Sequence, residues 1–212
     1  MKTIRFIAMV LLISVVVTLL SGCNGYSQFE ENGLFMKKTV DGGEYLFICY
    51  GFVEGYFEEN VVLPARFKNF NSSGDTFIVA PRAFEGELIK ELQIFSEAKN
   101  GCSIRDEAFY SCTELKKVEL SNCLEVHKSA FAYCSEGLEF TIYDLTPPGY
   151  SYKITKEING QIVYEYDLEE SDWKAFEGIE DFKIFVPAKA VEAYKNALGW
   201  RLYADHIFAI EE

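Results

Sequence analysis

One pattern of residues is written twice between Ile104 and Ile142, and it limits the fold more than any other feature of the chain. The first copy runs Ile104, Ala108, Phe109, Cys112, Leu115, Val118, Leu120, and the second Val126, Ala130, Phe131, Cys134, Leu138, Phe140, Ile142. Counted from the Phe, apolar residues fall at −5, −1, +3, +9 and +11 in both copies, which stand 22 residues apart. A unit of this length cannot bury its own apolar face, so it must stack on a neighbour of the same kind. The alternation of Val118 with Leu120, and of Phe140 with Ile142, predicts short strands whose inward residues are every second one. Lys117, Glu119, Thr141 and Tyr143 then fall on the exposed face.

Two further copies flank this pair. Phe84 is preceded by Val79 and Ala83 and followed by Leu88, Leu92 and Ile94; Phe176 is preceded by Ala175 and followed by Ile179, Phe182, Ile184 and Val186. Phe131 to Phe176 is 45 residues, about two periods, so either one repeat has diverged there or a segment is inserted. Tyr45–Tyr50, Val61–Leu63 and Phe77–Val79 read as strands of an atypical first coil, which a stacked core needs at its open end.

These residues resemble the BspA-type leucine-rich repeat of bacterial surface proteins. The likeness rests on Ala-Phe-x-x-Cys-x-x-Leu-x-x-Val-x-Leu, on the turn Thr146-Pro147-Pro148, and on a C-terminal cap from Phe185-Val186-Pro187-Ala188 to Gly199-Trp200. Glu87 and Ile179 replace the Cys in the outer copies, and residues 149–172 exceed the usual connection. The resemblance implies a leucine-rich-repeat-like right-handed solenoid, its short parallel β-strands stacked into a sheet, irregular or short helical turns opposite, and a small capping helix. It implies surface binding or adhesion and carries over no catalytic residue.

The leader reads as a secretory signal: Lys2 and Arg5, an uncharged run from Phe6 to Leu20, then Ser21-Gly22-Cys23. Leu20-Ser21-Gly22-Cys23 resembles the bacterial lipobox, which implies cleavage before Cys23 and lipidation there. Several acyl chains on one residue anchor stably where one would be marginal. The expected organisation is therefore a signal peptide at 1–22, lipidated Cys23 and tether at 23–40, N-terminal cap at 41–75, repeats at 76–143, an inserted β-hairpin at 144–172, the last repeat at 173–187 and the C-terminal cap at 188–212. The expected location is the bacterial cell envelope, surface-exposed.

Within the insertion, Asn159-Gly160 divides two alternating runs. A two-residue turn would split the apolar residues between faces. A three-residue loop at 159–161 would gather Tyr152, Ile154, Ile158, Ile162, Tyr164, Tyr166 and Leu168 on one face, and that register is expected. Tyr150, Tyr152, Tyr164 and Tyr166 are candidate ligand-binding residues, because tyrosine offers large area at small entropy cost; packing on the solenoid end is the alternative use of that face.

In the cap, Ala188 to Leu198 reads as a helix with Val191, Tyr194 and Leu198 on one face, stopped by Gly199. Trp200, Tyr203, Ile207, Phe208 and Ile210 are expected to lie across the last coil.

The chain lacks C-x-x-C, G-x-G-x-x-G, Walker A and H-E-x-x-H patterns, so no cofactor and no metal are expected. Cys112 and Cys134 share one repeat position and should stack as small buried groups. Cys102 and Cys123 could lie close enough for a disulfide. His127 and His206 look too dispersed to serve a Ser/His couple, and His127 is expected to point outward. Glu169, Glu170 and Asp172 beside Trp173 form the tightest acidic cluster, and read as a solvated turn. With 33 acidic against 20 basic residues, nucleic acid is not an expected partner. The expected function is a non-catalytic binding or adhesion lipoprotein for a protein or glycan ligand. The alternatives are a structural envelope subunit and a carboxylate-dependent carbohydrate hydrolase.

Overall fold

The computed structural model describes residues 27–41, 44–63, 76–150, 153–158, 161–166 and 170–211, and for 41, 44, 153–158 and 161–166 the backbone alone. The leader, Cys23 and Tyr152 lie outside the described residues. The described chain is mainly β-strand with few helices. Its strands are β1 (Ser27–Glu31), β2 (Leu34–Asp41), β3 (Glu44–Phe52), β4 (Asn60–Leu63), β5 (Thr76–Val79), β6 (Glu91–Phe95) and β7 (Cys102–Ile104). They continue with β8 (Lys117–Ser121), β9 (Cys123–Val126), β10 (Leu138–Ile142), β11 (Lys153–Ile158), β12 (Gln161–Tyr166), β13 (Phe182–Val186) and β14 (Ile207–Ala209), and the helix α1 is Val191–Asn196.

Two six-stranded sheets share one core. The first has the order β1-β2-β3-β5-β7-β9 and the second β14-β13-β10-β8-β6-β4. From β4 to β10 the chain visits the sheets alternately, adding one strand to each per period, and all these pairings are parallel. Val118, Leu120, Phe140 and Ile142 are fully buried, as the alternation required.

The turns around the four Phe residues stack as well. Phe84 N donates to Ala108 O at 2.8 Å, Phe109 N to Ala130 O at 2.8 Å and Phe131 N to Ala175 O at 2.9 Å. Two residues before each Phe, Arg82, Glu107, Ser129 and Lys174 all have left-handed φ, between 44° and 58°. Two residues after, Gly86, Ser111, Tyr133 and Gly178 do so too. Such φ values are uncommon outside glycine, so their recurrence in register means that one backbone path is used four times. The rings stack behind it, with centroids 5.1 Å apart for Phe84–Phe109, 5.2 Å for Phe109–Phe131 and 6.1 Å for Phe131–Phe176. Cys112 and Cys134 donate to the Phe84 and Phe109 carbonyls at 3.1 and 3.2 Å, which gives the repeated thiol a polar partner inside the core.

This arrangement decides between divergence and insertion. The Phe131 turn bonds directly to the Phe176 turn, and β10 pairs directly with β13, so residues between them are an insertion into one period. Gly149 occupies the next place on the first sheet by bridging to Glu125. The inserted strands β11 and β12 pair only as a two-stranded sheet. Their register joins Lys153 to Tyr166, Ile154 to Glu165 and Ile158 to Gln161. That register leaves two residues between the strands, which corrects the three-residue loop expected from the apolar residues. Asn-Gly as a dipeptide prefers two-residue hairpin connections, and the register agrees with that preference rather than with the gathering of apolar residues.

Several other expectations are corrected. Residues 27–40 are no tether: β1 and β2 form an antiparallel hairpin extending the first sheet, turned by Asn32-Gly33 with φ of 52° and 75°. In the Phe84 copy the inward residue is Ile89, while Leu88 is exposed. The capping helix is shorter than expected; a 3₁₀ turn at Ala188–Ala190 leads into α1, and Leu198 is exposed. Phe208 also faces outward, because β14 joins the second sheet beside β13 and alternation buries Ile207 instead. Trp173 and Trp200 close the core, their indole N–H groups donating to Val126 O and Pro148 O at 2.7 Å. Tyr194 OH donates to Asp144 O at 3.0 Å, which ties α1 to the turn before Pro147-Pro148.

Candidate functional site

The outward residues of the second sheet fall into register because its strands do. Val62, Gln93, Glu119, Thr141, Phe185 and Phe208 are successive cross-strand partners on β4, β6, β8, β10, β13 and β14. Two residues along each strand in one direction lie Phe95 and Tyr143, whose rings sit 6.1 Å apart above Ser121. In the other direction lies a ladder of alternating charge, Glu91, Lys117, Glu139 and Lys183. Phe95, Tyr143 and Phe208 are exposed and Phe185 is half-buried, its ring 6.3 Å from Phe208. An open groove of about 700 Å³ at the β14 end is lined by Thr141, Tyr143, Lys183, Phe185, Phe208 and Ile210.

Glu119 is the polar centre of this face. Its Oε2 accepts from Gln93 Nε2 at 2.7 Å and pairs with Lys117 Nζ at 3.2 Å, while Oε1 accepts from the Tyr143 hydroxyl at 2.8 Å. Partial burial raises its pKa, but the donors Tyr143, Gln93 and Lys117 outweigh that and hold the carboxyl below its ordinary value. A carboxylate has about four lone-pair sites, so one remains for a further donor.

A second cluster was not anticipated. His127 is 3 % exposed, not outward-facing, and meets Ser103, Arg105, Asp106 and Glu125 beside β7 and β9. Its Nε2 lies 3.0 Å from Arg105 Nη1 and 3.0 Å from Glu125 Oε2, and Nδ1 lies 3.6 Å from Asp106 Oδ1. Arginine only donates and carboxylate only accepts, so Nε2 can satisfy one of these neighbours at a time. Burial lowers the His127 pKa, but the Asp106 and Glu125 carboxylates outweigh it and leave the group raised. Glu125 is correspondingly lowered, first by His127.

Ser103, His127 and Asp106 stand in the order of a nucleophile–base–orienter relay. The geometry departs from one, because Ser103 Oγ donates to Glu125 Oε2 at 3.0 Å, lies 3.5 Å from Nε2 and belongs to a residue only 2 % exposed. The arrangement suits charge pairing inside the fold. Its signal was in the sequence: Ser103 and Glu125 are both at −6 from their Phe, and Arg105 and His127 both at −4, so stacking had to bring them together.

Of the proposed ligand-binding tyrosines, Tyr150 is half-buried and packs edge-on to Trp173 at 6.1 Å. Tyr164 and Tyr166 are placed by backbone alone in β12, opposite Thr155 and Lys153. Glu170 is committed to the cap, accepting from Gly199 N at 2.7 Å and pairing with Arg201; Glu169 lies outside the described residues. All five cysteines from Cys49 to Cys134 are free thiols, with Cys102 and Cys123 partners on β7 and β9. Among the described residues, no group of three His, Cys, Asp or Glu side chains could hold a metal ion, and no helix is long and apolar enough to cross a membrane. Compared with known proteins, the chain matches no family model and no curated protein.

Proposed function

We propose that this chain is a non-catalytic binding lipoprotein of the bacterial cell surface, a leucine-rich-repeat-like right-handed solenoid of BspA type held to the envelope by acyl chains on Cys23. It presents the outer face of the second sheet to a protein or glycan ligand. The observation that carries this reading is the strip formed by Phe95, Tyr143, Phe185 and Phe208, rings left on an open face while the stacked Phe ladder behind them is buried. Aromatic groups in such positions are what recognition surfaces enrich. The 22-residue period and the fourfold turn geometry support the solenoid, and Leu20-Ser21-Gly22-Cys23 supports the anchor.

Two measurements test it. Intact mass of membrane-extracted protein should correspond to a chain beginning at acylated Cys23; Met1 still attached would end the lipoprotein reading. The full-length chain in detergent, immobilised and offered to matrix proteins and glycans, should retain a ligand. Failure to retain any would count against binding, and stoichiometric co-purification with another membrane protein would point to a structural subunit instead.

A further inference from the structure

The outer face of the second sheet has a shape and charge that choose among ligand classes. Its aromatic strip runs from Phe95 on β6 to Phe208 on β14, four strand spacings of about 4.8 Å, or roughly 19 Å. Adding the two-residue step to Tyr143 makes it about 10 Å wide, so its area is on the order of 200 Å². A stable protein–protein interface needs about 800 Å² on each partner. The strip is long and narrow, fitted to a single polymer chain laid across the strands.

An extended peptide is a poor match. Peptides that bind sheets add to an edge, where free backbone N–H and C=O groups hold them. Here β6, β8, β10 and β13 each have hydrogen-bonded neighbours on both sides, so the backbone under the strip is already engaged except at β14, an edge strand of only three residues. What the face offers instead is side-chain polarity: the amide of Gln93, the carboxylate of Glu119, and the hydroxyls of Thr141 and Tyr143, interleaved with rings.

Charge narrows the class further. Glu91, Lys117, Glu139 and Lys183 alternate in sign across the neighbouring column and cancel. Glu119 within the strip and Glu211 in the groove lining then leave the face with an excess of negative charge, which repels a polyanion. A polymer carrying many hydroxyls, no net charge and apolar C–H faces satisfies both halves of the surface.

Resting on the binding-module reading above, we infer that the outer face of the second sheet binds a neutral linear polysaccharide, its sugar faces on Tyr143, Phe185 and Phe208 and its hydroxyls on Glu119 and Gln93. The full-length chain in detergent micelles is run through native gels containing a neutral β-glucan, a galactomannan, an α-glucan or, as a charged control, polygalacturonate. Retardation by at least one neutral polymer is expected. Tyr143→Ala and Phe208→Ala should each weaken it at least tenfold, with circular dichroism confirming that the variants fold. Tyr133→Ala, an exposed ring on the turns, should leave it unchanged.

No retardation by any neutral polymer, retardation by polygalacturonate alone, or binding indifferent to Tyr143 and Phe208 would overturn the inference. A protein ligand retained through these same rings while every glycan passes would overturn it too, and leave the binding module standing. If neither class is retained, both readings fall.

Discussion

Phe109 stacks face to face on Phe131, with ring centroids 5.2 Å apart and planes 4° from parallel. Phe84 covers the other side of Phe109 at 5.1 Å and 1°. Each ring therefore fills its own turn and serves as the floor of the next. Phe109→Ala would open a cavity against two rings at once, and should cost about 3–5 kcal/mol. For a chain of this size that is a fall in Tm on the order of 10 °C. Chemical denaturation should show it; a loss under about 1 kcal/mol would mean that the stack does not carry the core.

His127 should make stability depend on pH. Its pKa is raised in the fold by Asp106 and Glu125, against the opposing effect of burial. A group raised on folding stabilises the folded state fully below its unfolded value, about 6.5, and loses that contribution as pH rises through the folded value. Denaturant titrations of the wild type and His127→Gln should differ most at acidic pH and converge above neutrality. A difference growing with pH would reverse the assignment.

Two glycines with similar backbone angles should respond differently to alanine. Gly51 has φ of 106°, and a Cβ there would stand 1.9 Å from Ala83 O. Gly55 has φ of 82° with nothing within 4 Å of that position. Gly55→Ala should cost only the left-handed strain, about 1–2 kcal/mol. Gly51→Ala adds a backbone collision and should cost clearly more, or prevent folding. Equal melting temperatures for the two variants would contradict the close packing of Gly51 on the Phe84 turn.

The insertion should be removable. Because β10 pairs directly with β13, deleting 152–168 while keeping Tyr150 leaves every described pairing of the two sheets in place. The expected change in Tm is within about 3 °C, equivalent to roughly 1 kcal/mol at this size. Global unfolding on deletion would show that the hairpin supports the core.

The thiols should be silent in the native state. Burial pushes Cys49 up to about 12, and Cys102, Cys112, Cys123 and Cys134 are also buried. Thiolate is the reactive form, so alkylation at neutral pH should leave these five untouched until denaturant is added. Rapid native labelling of any of them would place it at the surface.

The stacked repeat was legible from spacing alone, because a 22-residue unit with one inward face has few other ways to bury it. The alternation of Val118 with Leu120 assigned the inward and outward residues of β8 correctly for the same reason. The same logic applied one step further would have found the His127 cluster, since equal offsets from the Phe must stack. It failed where a residue's neighbours come from another part of the chain. Phe208 reads as core by composition, and only its place on β14, in register with Phe185, turned it outward. Whether residues 144–172 were a lost repeat or an insertion likewise depended on which turn the Phe131 segment bonds to.

The amino-acid order by itself determined the period and the buried Phe column, both consequences of side-chain size and spacing. Only tertiary structure decided the aromatic strip, because Phe95, Tyr143, Phe185 and Phe208 lie about one period or more apart at unequal offsets, and their proximity is a property of the pairing of β13 with β10 and β14.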